Sequence, residues 1–195
     1  MSKKLWGGRF GKKTDPLVEK FTKSIHYDRK LAEYDLLGSM LHVEILRKSG
    51  YLKHEEASRL YRGLSDLYKS AKSGAYKADP DSEDIHTDIQ NKLEKKVGDV
   101  ALKLHTARSR NEQVAFSTKL YCKVSLSQLQ EALAGLAQSL NKLAGKNKDI
   151  IIPGFTHMQH GQPVYLKDHL GAYVAMLGRD NERLGHTCEN IRLTM

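Results

Sequence analysis

The sequence contains few of the residues that mark disulfide-rich, fibrous or intrinsically disordered proteins. Two of its 195 residues are cysteine and four are proline, and it has no low-complexity segment. Cys122 and Cys188 lie far apart and match no metal-ligand spacing, so we expect buried, reduced thiols and no disulfide framework. With 39% hydrophobic and 28% charged residues, the composition is typical of a globular protein.

Long apolar runs are absent as well. No stretch of ~18 apolar residues occurs, which excludes a typical transmembrane helix. The apolar segment that begins at Leu5 stops at Arg9, which is too short for the hydrophobic region of a secretory signal peptide. We therefore expect a cytoplasmic protein without a membrane partner.

Aromatic residues are scarce, which bears on the meaning of the positive net charge. The formal net charge is +9, and aromatic residues make up 7% of the chain. Residues 1–30 hold nine basic and three acidic side chains, so two thirds of the excess belongs to this segment. Nucleic-acid-binding surfaces usually combine clustered basic side chains with exposed aromatic ones. We therefore predict no nucleic-acid partner, and a basic interaction module is a minor alternative.

Hydrophobic repeats predict a mainly α-helical fold, with four helices in the first hundred residues. Thr14-Asp15-Pro16 is typical of a helix start, because a side-chain oxygen can cap the helix and proline needs no N–H partner there. Asp28 is predicted to cap a second, longer helix that stops at Ser49-Gly50. The repeats from Leu60 to Ala71 and from Ile85 to Val97 predict the third and fourth helices.

The second half of the chain predicts two long antiparallel helices, and Ile150–Ile152 is its only plausible strand. From Asn111 to Ala144, apolar residues alternate in steps of four and three, which is a heptad seam that needs a partner helix. The seam consists of Cys122, Leu126, Leu129, Leu133, Leu136, Leu140 and Leu143. The second helix is predicted after Pro163. Its three glycines seven residues apart predict very close packing along one stripe.

These patterns predict two domains. Residues 1–105 would form a helical N-terminal domain, and residues 106–195 would begin a central helical bundle. The last helix carries no stop signal, so we expect the bundle to be incomplete within this chain or to need a partner.

Three polar stretches stand at helix starts or between helices, where side chains and free N–H groups converge on ligands. They are Ser82–Thr87, His105–Gln113 and Gly154–Pro163. In the second stretch, arginines occupy a helix start, where the helix dipole disfavours cations. We therefore expect either a bound anion, held by the guanidinium groups, or acidic partners from elsewhere in the fold.

The third stretch contains two histidines. Imidazole is suited to proton transfer near neutral pH, so this stretch favours a general acid or base. Zinc binding by His157 and His160 is a weaker alternative, because no cysteine or close acid completes a tetrahedral set. No Walker motif, dinucleotide-binding glycine loop or G-x-S-x-G motif is convincing in the sequence.

Five short motifs in this order resemble the argininosuccinate lyases of the fumarase/aspartase superfamily. They are Leu5–Phe10, Ser24–Asp28 running into Glu33-Tyr34-Asp35, Glu83–His86, Arg108–Asn111 and Pro153–Gln159. The resemblance implies a helical N-terminal domain, a central bundle and a homotetramer in which three subunits build each active site. It also implies reversible elimination of fumarate from argininosuccinate to give arginine, without a metal or organic cofactor.

The same resemblance assigns site residues. His157 would be the proton-transfer histidine, whether as acid, base or orienting group, and His86 would lie in the site. The substrate-contacting residues would be Ser24, Asp28, Arg110, Asn111 and Thr156.

The chain also departs from the family pattern. Family members usually carry glycine in place of Ala107, aspartate in place of Glu112, and Arg-Ala in place of His160-Gly161. The family's glycine-serine loop with the catalytic serine does not occur, so we expect the 195-residue chain alone to be inactive. Alternative identities are another superfamily lyase, such as adenylosuccinate lyase or fumarase, and a non-catalytic relative similar to the δ-crystallins.

Overall fold

The structure, a computed structural model, describes residues 14–193. The motif Leu5–Phe10 therefore lies outside the described residues. The described chain forms two compact units, of which the first ends at Tyr121 and also includes Leu193, and the second spans Cys122–Arg192. The domain division predicted at residue 105 stays a prediction. The mainly α-helical fold is confirmed, since the described residues form helices throughout and a single β-hairpin.

The first unit is built from helices whose order matches the four predicted repeats. Their bounds are α1 Pro16–Thr22, α2 Ile25–Asp28, a 3-10 helix Arg29–Leu31, α3 Ala32–Lys48, α4 His54–Lys72, α5 Ile85–Val97, a 3-10 helix Gly98–His105 and the start of α6, Arg110–Lys146. Asp15 caps α1 as predicted, because its carboxylate accepts the Leu17 N–H at 2.8 Å. The core lies between α3, α4 and α5, where Leu36, Leu60 and Leu93 are fully buried.

The predicted role of Asp28 as the cap of the long helix is wrong. Asp28 ends α2 and is buried, and α3 begins at Ala32 after an intervening 3-10 turn. The physical reason is that its carboxylate is occupied elsewhere. It accepts the Ser24 hydroxyl at 2.6 Å and the Ile85 N–H at 3.2 Å, which leaves it unable to cap its own segment.

The apolar repeat that predicts α3 is not the most buried face of that helix. It consists of Leu31, Tyr34, Leu37, Leu41 and Ile45. Leu41 is 50% exposed, whereas Leu36 and Val43 are 0% exposed. The buried face also carries polar residues, among them Asp35 and His42. Apolar spacing by itself therefore finds the helix but does not identify the side that packs.

The second unit contains most of α6, two strands and a last helix. The strands are β1 Ile151–Thr156 and β2 Gln159–Tyr165, and the helix is α7 Leu166–Asn190. The strands pair antiparallel, so the third polar stretch, Gly154–Pro163, forms most of a hairpin between the two long helices. Pro153 faces Pro163, and a two-stranded sheet tolerates both because each strand is an edge strand. Helix α7 consequently begins at Leu166 instead of directly after Pro163.

Side chains of the predicted heptad seam are only partly covered. Leu129, Leu136 and Leu143 are each about half exposed, and α7 has no buried residue. The close packing predicted for the glycine stripe is not observed within residues 14–193, since an added Cβ at Gly171 or Gly178 would meet nothing within 4 Å.

The two cysteines are free, as expected, but they are less buried than expected. Cys122 and Cys188 are free, which agrees with the expected lack of a disulfide framework. Both are partly exposed, so the expectation of buried thiols is wrong. The seam position of Cys122 lies on the partly covered side of α6, which accounts for its exposure.

Within the described part of the chain, no helix combines the length and the apolar character that crossing a membrane requires.

The face of α3 that packs can be tested with two leucines of the same helix. We expect Leu36→Ala to lower the free energy of unfolding by about 2–5 kcal/mol, because it leaves a cavity in a filled core. Leu41→Ala is the matched control and should cost about 1 kcal/mol or less, since half of that side chain already contacts water. Urea unfolding followed by circular dichroism measures both. Equal losses would contradict the assignment of the buried face.

Candidate active site

The segment before α2 is attached to the residues that precede α5. The N–H groups of Ser24 and Ile25 donate to the Glu83 carbonyl, at 2.8 and 3.3 Å. The carboxylate of Asp28 then receives the Ser24 hydroxyl and the Ile85 N–H. Burial raises the pKa of Asp28, and these two donors partly offset that effect. Two of the predicted substrate residues, Ser24 and Asp28, are thus held together at the start of α5.

Arg110 lies at the same helix start. Its Nη1 is 3.4 Å from Asp84 Oδ1, and its Nη2 donates to Thr87 Oγ1 at 3.4 Å. Asp84 is also the cap of α5, because it accepts the Thr87 N–H at 2.6 Å. The sequence offered two explanations for an arginine at the start of α6, a bound anion or an acidic partner. In the structure Asp84 is the acidic partner. The single carboxylate oxygen at 3.4 Å leaves the guanidinium free to bind a second anion.

His86 is buried in the first turn of α5, beside a second carboxylate. Its Nδ1 is 3.1 Å from Asp35 Oδ1, and the two side chains are 3% and 1% exposed. Gln113 Nε2 donates to the same oxygen at 2.8 Å. Burial alone would raise the pKa of Asp35, but His86, Gln113 and the charge of Arg108 hold it below its usual value. The carboxylate is therefore a buried anion whose Oδ1 contacts His86 and Gln113, while its Oδ2 has no hydrogen-bond partner among residues 14–193.

The loop that leads into α6 carries a buried arginine. Arg108 Nη1 donates to Ser39 Oγ at 3.3 Å, while its Nε and Nη2 are buried without a partner among residues 14–193. Burial lowers the pKa of Arg108. Ala107 has a φ of 54°, in the left-handed region that favours glycine. This conformation gives a physical reason for the glycine that the family usually carries there.

Two hydrogen bonds that involve Ser109 close the start of α6. The Ser109 N–H donates to Glu112 Oε2 at 2.8 Å, and the Asn111 N–H donates to Ser109 Oγ at 3.1 Å. Serine followed three residues later by glutamate is the spacing of a capping box. Asn111 is exposed in this first turn, next to Arg110. The departure from the family pattern at Glu112 is therefore compatible with an ordered helix start.

Thr156 and His157 belong to the second unit, at the tip of the hairpin. His157 and Met158 form its two-residue turn with φ values of 48° and 62°, and both side chains are exposed. A turn with two positive φ values usually contains asparagine or glycine, so the backbone here is strained. His160 packs its ring 4.7 Å from that of Phe155. The zinc alternative gains no support, since no three potential ligands gather among residues 14–193.

The predicted site residues therefore fall into two groups. Ser24, Asp28, His86, Arg110 and Asn111 lie in the first unit, and Thr156 and His157 lie in the second. Within the first unit, four of the five make the contacts described around the start of α5, and Asn111 follows Arg110.

The sequence analysis assigned no site role to four supporting residues, although its polar stretches and motifs contain them. They are Asp35, Asp84, Thr87 and Gln113. The spacing from Asp84 to Thr87 is typical of a helix cap. It could have identified Asp84 as the carboxylate at the start of α5 that Arg110 contacts. No local pattern connects Asp35 to His86, because the pair is formed between two separate helices.

The sequence profile of a family described as Lyase matches residues 8–195. The chain belongs to this lyase family. Argininosuccinate lyase of Streptococcus mutans is 48% identical over 180 residues, which are 92% of this chain and 39% of that protein. Argininosuccinate lyase of Desulforudis audaxviator is 45% identical over 181 residues, or 93% and 39%. This lyase chain thus spans about two fifths of the length of these curated relatives.

Solved structures share the fold of the lyase chain. A fumarate lyase:delta crystallin from Brucella melitensis has a TM-score of 0.72 at 16% identity, over 88% of this chain and 44% of that one. EDDS lyase in complex with formate has a TM-score of 0.69 at 23% identity, over 83% and 31%. At these identities the likeness shows the fold alone.

The positive charge around the start of α6 in this lyase predicts a pH effect. Burial and the charges of Arg108 and Arg110 lower the pKa of His105 from 6.5 to about 4. Between these pH values the unfolded chain binds a proton that the folded chain does not, so acidification lowers the free energy of unfolding. Over this pH window we expect the free energy of unfolding to fall by about 1 kcal/mol less in His105→Asn than in the native chain. The effect is this small because solvent screens part of the electrostatic interaction.

The measurement is urea unfolding at a series of pH values. His186→Asn is the control, because His186 is an exposed residue of α7 in the second unit, and it should follow the native pH dependence. Identical pH dependence in the native and His105→Asn chains would contradict the lowered pKa of His105.

Proposed function

We propose that this chain forms the N-terminal part of an argininosuccinate lyase, which eliminates fumarate from argininosuccinate and leaves arginine. The observation that carries the proposal is the convergence of Ser24, Asp28 and Arg110 on the start of α5, where their polar groups and the helix N–H groups gather. Identity of 48% to the Streptococcus mutans enzyme over 92% of this chain supports the same substrate.

The reaction needs a concentration of positive charge and two proton transfers. A base removes a proton from the carbon beside a carboxylate, and the electron pair left on that carbon spreads into the carboxylate. The carbon–nitrogen bond then breaks, and an acid protonates the departing guanidino nitrogen. The doubly negative intermediate is stabilised by cationic side chains and by N–H groups at helix starts.

Arg110 and the start of α5 suit the stabilising role. The guanidinium of Arg110 is partly exposed and pairs with one oxygen of Asp84 only, so it can bind a substrate carboxylate. Asn111, in the exposed first turn of α6, would add an amide donor. Ser24 and Asp28 would hydrogen-bond the substrate beside it, and His86 would line the site.

His157 suits the proton-transfer role. It projects from the strained turn of the hairpin, where the imidazole is exposed and unencumbered by packing. Thr156, the residue before it, would contact the substrate.

The partly covered seam supports assembly. Leu129, Leu136 and Leu143 each keep about half of their surface in water within the second unit. Burial of these leucines against further helices is favourable by about 25 cal/mol per Å² of apolar surface. We therefore propose a homotetramer built on the central bundle. We also propose that it is located in the cytoplasm and works without a metal or organic cofactor, as the resemblance to argininosuccinate lyases implies.

The test joins this chain to the remainder of the Streptococcus mutans enzyme at the matching position. We expect the joined protein to release fumarate from argininosuccinate, and the 195-residue chain alone to release none. His157→Asn in the joined protein should lower kcat/KM by about 10²–10⁴, the usual worth of a general acid or base. Fumarate absorbance measures the rate.

His186→Asn serves as the control in this experiment, since it removes an exposed histidine of α7 that has no proposed role. It should leave kcat/KM unchanged. A folded joined protein without fumarate release, or full activity in the His157→Asn variant, would overturn the proposal.

A further inference from the structure

We propose that Asp35 is a positioning residue, which holds the His86 ring with its proton on Nδ1 and so makes Nε2 the nitrogen that can accept a hydrogen bond. The inference rests on the proposed function, because it concerns how His86 meets the substrate. Neither the resemblance to known lyases nor the sequence pattern assigns a role to Asp35.

The geometry of the pair carries the first step. Asp35 Oδ1 and His86 Nδ1 are 3.1 Å apart, and both side chains are almost fully buried. The contact has ion-pair distance but is not aligned as a hydrogen bond, and Nδ1 has no other hydrogen-bond partner among residues 14–193. An ionised carboxylate can only accept hydrogen bonds. A lone pair on a buried nitrogen this close to an ionised oxygen would be repelled by its charge, so Asp35 favours the tautomer with the proton on Nδ1.

The second step is that Asp35 is ionised. The Gln113 amide donates to Oδ1 at 2.8 Å, and the charge of Arg108 acts on the same carboxylate. Together with His86 they hold the pKa of Asp35 below its usual value in spite of burial. The carboxylate comes from α3 and its partners from α5 and α6, so three helices fix the position of the oxygen.

A second buried carboxylate shows that burial alone does not make an acid a positioning residue. Asp88, a second carboxylate of the same unit, is 1% exposed like Asp35. Its charge is paired with Lys92 at 2.8 Å, and the Tyr76 hydroxyl donates to it at 2.6 Å. Asp88 contacts no histidine among the described residues. Asp35, by contrast, lies 3.1 Å from the ring of His86, the residue after the Ile85 N–H that Asp28 accepts.

The chemical consequence follows from the tautomer. With Nδ1 protonated, Nε2 can accept a hydrogen bond from the substrate, or can take up a proton and donate it later. Loss of the carboxylate would let the other tautomer form, and Nε2 would then become a donor. An imidazole in the wrong tautomer costs a catalytic histidine as much as about 10⁴ in rate.

The first experiment reads the tautomer in the 195-residue chain, labelled with ¹⁵N-histidine. Long-range ¹H–¹⁵N spectra, recorded where the ring is neutral, distinguish a protonated from an unprotonated ring nitrogen. His86→Gln identifies the His86 signals by their disappearance. We expect Nδ1 to be protonated and Nε2 to be unprotonated. The reverse assignment in the native chain would overturn the inference without any need for an Asp35 variant.

Two substitutions of Asp35 then test the cause. Asp35→Leu removes the acceptor, so the His86 signals should shift toward the Nε2-protonated form. Asp35→Asn keeps an acceptor oxygen of the same size and should retain Nδ1 protonation. Asp88→Asn is the matched control at an equally buried carboxylate and should leave the His86 signals unchanged. An unchanged tautomer in folded Asp35→Leu chains would show that Asp35 does not set it.

Kinetics in the joined protein described above complete the test. We expect Asp35→Leu to lower kcat/KM at least ten-fold and Asp35→Asn to restore much of the loss. Failure of the joined protein to act on argininosuccinate would overturn the proposed function and leave the tautomer result standing, so the two proposals fail separately. Equal losses in the two folded Asp35 variants would assign the loss to charge and would contradict positioning through the tautomer.

Discussion

Burial of a carboxylate at the meeting of three helices is the constraint on which the first unit depends. Asp35 is 1% exposed, and an unpaired charge at such a position would cost several kcal/mol. The fold meets this cost by bringing a donor from α6, the ring from α5 and the charge of Arg108 to the same side chain. The relative placement of α3, α5 and the start of α6 is therefore fixed by electrostatics as well as by apolar packing.

Asp28, the second buried acid at the site, also links separate elements through the donors to its carboxylate. Asp28 joins the end of α2 to the start of α5 through the Ile85 N–H, which would otherwise be an unpaired donor at a helix start. The main-chain bonds from Ser24 and Ile25 to Glu83 hold the same two segments in register. Any ligand that binds near Arg110 thus meets a surface whose polar groups are already oriented, and orientation in advance lowers the cost of binding.

The sequence predicts the helices well because their periodicity is a local property. It predicts the hairpin poorly, because Pro153 and Pro163 suggest a break in any sheet that has more than edge strands. It also misplaces Asp28, whose chemistry as a cap is correct and whose actual partner lies at the start of another helix. Resemblance finds the motif residues of the candidate site, but the pairing of Asp35 with His86 depends on how two helices pack, which no spacing encodes.

The loop before α6 shows how a departure from the family pattern can be absorbed. Ala107 adopts a left-handed φ of 54°, a conformation that costs about 1–2 kcal/mol more for alanine than for glycine. At the helix start that follows, the Glu112 carboxylate accepts the Ser109 N–H, and a capping contact of this kind contributes about 1 kcal/mol to a helix. Arg110, the first residue of α6, comes directly after these two positions. The backbone that places its guanidinium against Asp84 therefore contains one strained residue, Ala107, and one capped residue, Ser109.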